Sequence, residues 1–246
     1  MSKQKAAVIT GSSGALGRAL CRGFVDAGYY VVGIDKAPEH ERLADVFLNA
    51  DLFEFVAEPD AQEDLLRRIR SSLAGKAVAV LVNNAAIQIT KQTRDLTLAD
   101  WQESLYVNLL AAFLLSQKLI TELCAASGCI INIASIHARL TKPSFVAYAT
   151  SKAALVGLTQ SMAVDLGPEV RVNALAPAAI DTPMLRAGFD GTPDALAALV
   201  DCHPLKKIGQ PVDVANAAVF MASQDFVSGS VWAIDGGVGV RLHDPV

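Results

Sequence analysis

The sequence predicts an α/β fold: one doubly wound parallel sheet of about seven strands, with helices on both faces. Seven short apolar runs recur along the 246 residues, and segments of helical periodicity separate them. Helical crossovers between consecutive strands require parallel pairing with right-handed connections, so both faces of the sheet are covered. The composition, 52% hydrophobic and 19% charged, supports a large core and is unlike that of a disordered chain. No repeat, linker or break in composition divides the chain, so residues 1–246 are expected to form one domain.

Ala6, Ala7, Val8 and Ile9 make the first strand run, ended by the glycine-rich segment 10–17. Leu16, Leu20, Phe24 and Ala27 then recur at helical spacing, and Gly28 closes that helix. Residues 30–34 form the second strand, ending at Asp35, and 46–50 a third, followed by Asp51. Pro59 opens a helix whose buried face carries Leu65, Ile69 and Leu73, with Gly75 at its end. Residues 77–82 run as a strand into Asn83 and Asn84. Thr97 and Asp100 have capping-box spacing and start a long helix to about 123, with Trp101, Leu105, Leu109, Phe113 and Ile120 among its apolar positions. A strand at 130–133 ends near Ser135, and a helix from about Val146 carries Tyr148, Lys152, Leu155 and Thr159. Strands at 170–175 and Val231–Ile234 complete the set, and 185–207 is expected to be a helical flap.

Several functions are disfavoured early. A net charge of −4 gives no electrostatic reason to bind nucleic acid or an anionic membrane surface. No stretch approaches the roughly 18 consecutive apolar residues of a membrane span, and the first ten residues are too weakly apolar for a secretory signal. Cys21, Cys124, Cys129 and Cys202 form no CxxC pair and fit a reduced, cytoplasmic protein. His40, His137, His203 and His243 are scattered singly, so no metal is expected.

A sheet of this kind binds its ligand beyond the carboxyl ends of its strands. Gly11, Asp35, Asp51, Asn83, Ser135 and Pro177 each follow a strand run and gather there. Glycines at 11, 14 and 17, with Ser13, Ala15 and Leu16 between them, let the backbone approach a pyrophosphate at a helix N-terminus. Asp35 lies 18 residues beyond Gly17, where a carboxylate accepts ribose hydroxyls and repels a 2′-phosphate. The expectation is therefore a Rossmann-type site for NAD rather than NADP, with the adjacent Lys36 weighing the other way.

The ordered motifs TGSSGALG (10–17), Asp51, NNAA (83–86), Asn108, Ser135, YATSK (148–152), PAAIDTPM (177–184) and the terminal DGG resemble the short-chain dehydrogenase/reductase family across nearly the whole chain. Ala15 stands where the family's TGxxxGxG loop has glycine, and Ala86 and Ala178 replace glycines common in NNAG and PG. A slight reshaping of the cofactor path is expected from these changes.

The resemblance implies a catalytic tetrad of Asn108, Ser135, Tyr148 and Lys152. The spacing of Tyr148 and Lys152 independently puts them on one helical face. A tyrosine titrates near pH 10, and a neighbouring ammonium together with a nicotinamide cation is expected to lower it. Tyr148 would then exchange a proton with the substrate oxygen. Ser135 would bond that oxygen, Lys152 the nicotinamide ribose, and Asn108 a water leading from Lys152 to solvent. The resemblance further implies that Asp51 and Leu52 meet the adenine and that Asn83 and Ala85 line the adenosine ribose. Pro177, Ile180 and Thr182 would seat the carboxamide.

Gln88, His137 and Arg139 are polar candidates for the substrate pocket and suggest a polyol or sugar alcohol, whereas Leu185, Phe189 and Leu196 of the flap are apolar. The substrate class is accordingly secondary alcohols and ketones. Two other readings stay open: an NADPH-dependent carbonyl or 3-oxoacyl reductase, and a nucleotide-binding regulator without catalysis. Asp35 speaks against the first and the tetrad against the second. Relatives commonly associate through their long helices and last strand, which implies a homo-oligomer, here a tetramer.

Overall fold

The computed structural model describes residues 5–39, 41–189 and 193–242. His40, His243 and flap residues 190–192 therefore lie outside the described residues. Strands β1 (Lys5–Thr10), β2 (Tyr30–Asp35), β3 (Val46–Asn49), β4 (Ala77–Asn83), β5 (Cys129–Ile133), β6 (Arg171–Pro177) and β7 (Val231–Ile234) form one parallel sheet. Their order is 3-2-1-4-5-6-7. The direction of winding reverses between β1 and β4, and a ligand crevice opens beyond the carboxyl ends of strands at such a switch point.

Ten helices are described: α1 (Ala15–Asp26), α2 (Leu52–Ala57), α3 (Pro59–Leu73), α4 (Leu98–Leu105), α5 (Ala111–Lys118), α6 (Ile120–Cys124), α7 (Val146–Asp165), α8 (Pro183–Ala187), α9 (Pro193–Cys202) and α10 (Pro211–Ala222). The period-two geometry of a strand distributes the core between two layers. In β1, Ala6 and Val8 pack with Leu65, Ile69 and Leu115 of α3 and α5, while Ala7 and Ile9 pack with Leu20, Phe24, Val214 and Ala218 of α1 and α10. β5 divides in the same way, with Ile130 in the first layer and Ile131 and Ile133 in the second. Both faces are apolar because both are covered, which is why these strands read as unbroken apolar runs rather than as alternation.

The expected helix from Thr97 to about 123 is interrupted. Its capping box is present, with Asp100 N–H donating to Thr97 Oγ1 (3.2 Å) and Thr97 N–H to Asp100 Oδ2 (2.8 Å). Tyr106–Leu110 then forms a π-helical turn, and a second break falls at Leu119 before α6. One extra residue in a turn re-aims the side chains beyond it, and such turns cluster at functional sites. The fully buried face is consequently Val107, Ala111, Ala112, Leu115, Leu119 and Leu123, while Trp101, Leu105, Leu109 and Phe113 are only half-buried. Helix α2, capped by Asp51 Oδ1 accepting from Phe53 N–H at 2.8 Å, was not expected, because six residues are too few for a periodicity signal.

Candidate active site

The first wall of the site is the turn from β1 into α1. Gly11 has φ +67°, and a Cβ there would stand 2.8 Å from the Ala85 Cα. At Gly17 a Cβ would come within 1.9 Å of the Gly11 carbonyl oxygen, so the helix could not pack against its own loop. α1 begins after Gly14 with no side-chain cap and no acid in its first turn. Its leading N–H groups are thus left for an anion, and an N-terminus with these donors suits a pyrophosphate. Ala15, in the family's glycine position, opens α1 and lines the cleft.

Two side chains hold this loop in shape. Asp35, ending β2, accepts from Ser13 N–H through Oδ2 and from Ala37 N–H through Oδ1, both at 2.9 Å. A carboxylate offers about four lone-pair sites, so two remain for ribose hydroxyls. Thr10 Oγ1 accepts from both Asn84 and Ala85 N–H at 3.0 Å and pins the NNAA segment beside the loop. Lys36 is drawn toward Asp51 at 3.5 Å, so the cation beside Asp35 is partly offset by a neighbouring carboxylate.

The second wall carries Ser135, Tyr148 and Lys152. Ser135 follows β5, and its Oγ accepts from His137 N–H at 3.2 Å. Lys152 is fully buried, and its Nζ donates to the Ile133 carbonyl at 2.7 Å and lies 5.8 Å from the centre of the Tyr148 ring. Burial pushes Lys152 down to about 8. Tyr148 moves opposite to the sequence expectation: burial raises its phenol above the ordinary value, and the Ser135 hydrogen bond only opposes this. The reason is desolvation, which favours the neutral form of both groups in the free protein.

Two asparagines stand differently from the simplest expectation. Among the described residues, the Asn108 side chain hydrogen-bonds to Ile87 and Ser151 and not to Lys152. It sits in the π-helical turn, where Oδ1 accepts from Ile87 N–H (2.8 Å) and Nδ2 donates to Ile87 O and Ser151 Oγ, both at 3.0 Å. Ser151 Oγ in turn donates to the Tyr148 carbonyl at 2.7 Å, so the Asn108 side chain also fixes the backbone around Tyr148. The Asn83 side chain likewise does not line the cleft. It is buried and donates to Asn132 Oδ1 at 2.8 Å, because the pleat of β4 turns it into the layer beneath. Asn84 takes its place at the cleft and donates to the Thr10 and Gly11 carbonyls at 2.9 and 3.1 Å.

Between the walls lies a cleft of about 1180 Å³. Pockets for one drug-sized ligand typically measure about 300–1,000 Å³, so a cleft of this size has room for a cofactor with a substrate beside it. Most other expected contacts line it: Gly11, Ser13, Gly14, Ala15, Leu16, Gly17, Asp35, Lys36, Asp51, Leu52, Ala85, Gln88, Ser135, His137, Tyr148, Lys152, Pro177, Ile180 and Thr182. Arg139 and Leu196 do not line it, and the Arg139 guanidinium donates instead to the Gly239 carbonyl. Thr182 Oγ1 accepts from Leu185 N–H at 3.2 Å as the N-cap of α8, which leaves its hydroxyl proton to donate. From the flap come Met184, Leu185, Gly188, Phe189, Leu199 and His203. Sequence reasoning missed Phe145, whose ring stacks on His137 (4.4 Å between centres, 6° between planes) and stands edge-on to Tyr148 (6.1 Å, 81°). Among the described residues, no three His, Cys, Asp or Glu side chains gather as a metal site, and no helix is long and apolar enough to cross a membrane.

Residues 11–239 match a family model described as enoyl-(acyl carrier protein) reductase. Protein FixR of Bradyrhizobium diazoefficiens is 36% identical over 245 residues, which cover 95% of this chain and 86% of FixR. The ligand-free aldohexose dehydrogenase of Thermoplasma acidophilum superposes with a TM-score of 0.90 at 30% identity, over 99% of this chain and 97% of that one. A putative NAD(P)-dependent gluconate 5-dehydrogenase from Beutenbergia cavernae, with bound NADP, superposes with a TM-score of 0.87 at 31% identity, over 98% of each chain.

Proposed function

Because this chain belongs to the short-chain dehydrogenase/reductase family, whose oxidoreductases act on CH–OH groups, we propose that it is an NAD-dependent dehydrogenase of secondary alcohols, a polyol or sugar alcohol among them. The observation that carries this reading is the meeting of Ser135, Tyr148 and Lys152 with a glycine-turn anion site along one cleft. A sugar dehydrogenase among the structural neighbours supports the substrate class. The cofactor, when bound, supplies the hydride acceptor and a positive ring charge. The residues of this chain do the rest. Ser135 bonds the substrate oxygen, and Tyr148 takes the hydroxyl proton. Lys152, held on the Ile133 carbonyl, supports the phenolate and the cofactor ribose.

The preference for NAD rests on the Asp35 carboxylate at the cleft, although a neighbour binds NADP. Asp35→Ser removes the charge that repels a 2′-phosphate and also loosens Ser13. NAD affinity is expected to fall and NADP affinity to rise, each by about tenfold, the equivalent of 1.4 kcal/mol. Titration of both cofactors into the wild type and the variant measures this. Tighter binding of NADP than NAD by the wild type would overturn the cofactor assignment. A rate screen of secondary alcohols with NAD and NADP, and of ketones with the reduced forms, tests the activity. No turnover in either direction would leave the regulator reading.

We also propose a homotetramer. Leu98 and Val164 are 74% and 85% exposed, and Trp101, Leu105, Leu109 and Phe113 are half-buried on the neighbouring outer helices. Apolar side chains beyond one helix face suit a helix covered on two sides. Light scattering at micromolar concentration is expected to give four times the 25.9 kDa chain mass, and a monomer mass would exclude it.

A further inference from the structure

The cleft is charged unevenly. Its two acidic lining residues, Asp35 and Asp51, follow β2 and β3 at the adenosine end. The end holding Ser135 and Tyr148 is lined by the cations Lys142 and Lys152 and the imidazoles His137 and His203, with no carboxylate among its described lining residues. Lys152 is buried and committed to the Ile133 carbonyl. Lys142 is exposed and has no ion pair or hydrogen bond to a described residue; its Nζ stands 4.7 Å from the Phe145 ring centre and 5.9 Å from that of Phe189 in the flap.

This ammonium is close to the reacting end. The Phe145 ring beneath it is 6.1 Å from the Tyr148 ring and stacks on His137, which is itself 5.8 Å from Tyr148. A substrate that reaches both groups has to bridge the phenol and the ammonium past the Phe145 ring. Beside Tyr148, His137 is neutral: burial first, and the Lys142 charge second, hold it down to about 4. Its Nδ1 is shared with Thr141 Oγ1 at 3.1 Å, which leaves Nε2 to meet a hydroxyl without competing for an anion. A lone ammonium balances the single charge of a carboxylate, whereas a phosphate monoester carries about −1.5 to −2 at pH 7.

We infer that the substrate is a hydroxy acid, with its reacting carbinol at Ser135 and Tyr148 and its carboxylate on the Lys142 ammonium. This rests on the dehydrogenase reading and narrows the alcohol to an acidic one, of the polyhydroxylated sugar-acid type where His137 meets further hydroxyls. The rival role for Lys142 is mechanical, its ammonium ordering the flap by bridging Phe145 and Phe189.

The two roles are separated by a ratio. Initial rates with NAD are measured for matched pairs, a four- to six-carbon hydroxy acid and the alcohol of the same skeleton, in the wild type and in Lys142→Gln, Lys142→Glu and Lys142→Arg. The wild type is expected to favour the acid. The acid-to-alcohol ratio of kcat/KM should fall about tenfold in Lys142→Gln, as for a lost charge-assisted contact, further in Lys142→Glu, and recover in Lys142→Arg. Added salt should depress the acid's kcat/KM and not the alcohol's. A mechanical role lowers both members of a pair together, and an unchanged ratio in all three variants overturns the inference. Oxidation of the neutral alcohols with no acid oxidised also overturns it while leaving the dehydrogenase reading intact. No oxidation of any pair, with NADH still bound by fluorescence titration, removes the dehydrogenase reading and the inference with it.

Discussion

Tyr148→Phe is expected to reduce turnover by about 10²–10⁴-fold or more while leaving the dinucleotide bound, because general acid–base catalysis contributes on this scale. Phenylalanine keeps the ring and with it the edge contacts to His137 and Phe145 at 5.8 and 6.1 Å. The backbone carbonyl of residue 148 still accepts from Ser151 Oγ, so the link to Asn108 survives. What disappears is the hydroxyl that bonds Ser135 and that the proposed mechanism uses to exchange the substrate proton. The measurement is kcat beside NADH affinity for both proteins. Near-normal turnover in the variant would sink the mechanism, and lost NADH binding would show that the change reached the fold rather than the chemistry.

The buried phenol adds a requirement. Its proton is held more tightly than that of a free tyrosine, and its neighbour Lys152 is itself weakened as a cation. Lowering a phenol by about three units takes roughly 4 kcal/mol of differential stabilisation. That help must come with the bound cofactor's charge, so free enzyme and ternary complex are expected to differ in their acid–base behaviour.

The strands and the helices of α1, α3 and α7 were legible because continuous apolar runs and 3.6-residue spacing are strong local signals. Leu65, Ile69 and Leu73, expected on the buried face of α3, are all in the core. The glycine turn was legible for a similar reason, since Gly11 and Gly17 occupy positions that no other side chain fits. What stayed hidden depends on tertiary geometry. The π-helical turn at 106–110 arises inside an ordinary helical sequence, where no local signal marks a break. A strand residue's side is set by register, so nothing local distinguished Asn83, which turns inward, from Asn84, which turns to the cleft. The raised phenol was missed because burial of Tyr148 and Lys152 together cannot be read from their spacing. Lys142 and Phe145 carry no motif, and although Phe145 stands one helical turn before Tyr148, nothing local marked either as part of the site.

Lys152→Met is expected to make the protein more stable at neutral pH while removing its activity. The folded chain holds Lys152 down to about 8 from an ordinary 10.5, with burial as the cause. Below pH 8 the ammonium is present in both states, and folding carries the full cost of burying it, about 3 kcal/mol at 1.4 kcal/mol per unit. Between pH 8 and 10.5 the unfolded chain keeps a proton that the folded chain has released, so wild-type stability rises with pH. Above that window neither state is charged and the cost is gone. Methionine fills a similar volume but leaves the Ile133 carbonyl without its donor, a loss of about 1 kcal/mol or more. The variant should therefore gain about 2 kcal/mol at pH 7, lose that gain across pH 8 to 10.5, and end slightly less stable than the wild type. Urea unfolding of the cofactor-free proteins from pH 6 to 11, at one fixed concentration, reads this directly. A pH-independent difference would mean that the ammonium is not buried as described. Turnover is expected to fall at least as far as in Tyr148→Phe, and NADH affinity to fall as well, because the proposed mechanism has one ammonium support both the phenolate and the cofactor ribose. An active Lys152→Met protein would break the proposed division of labour between these two side chains, even with Tyr148 intact.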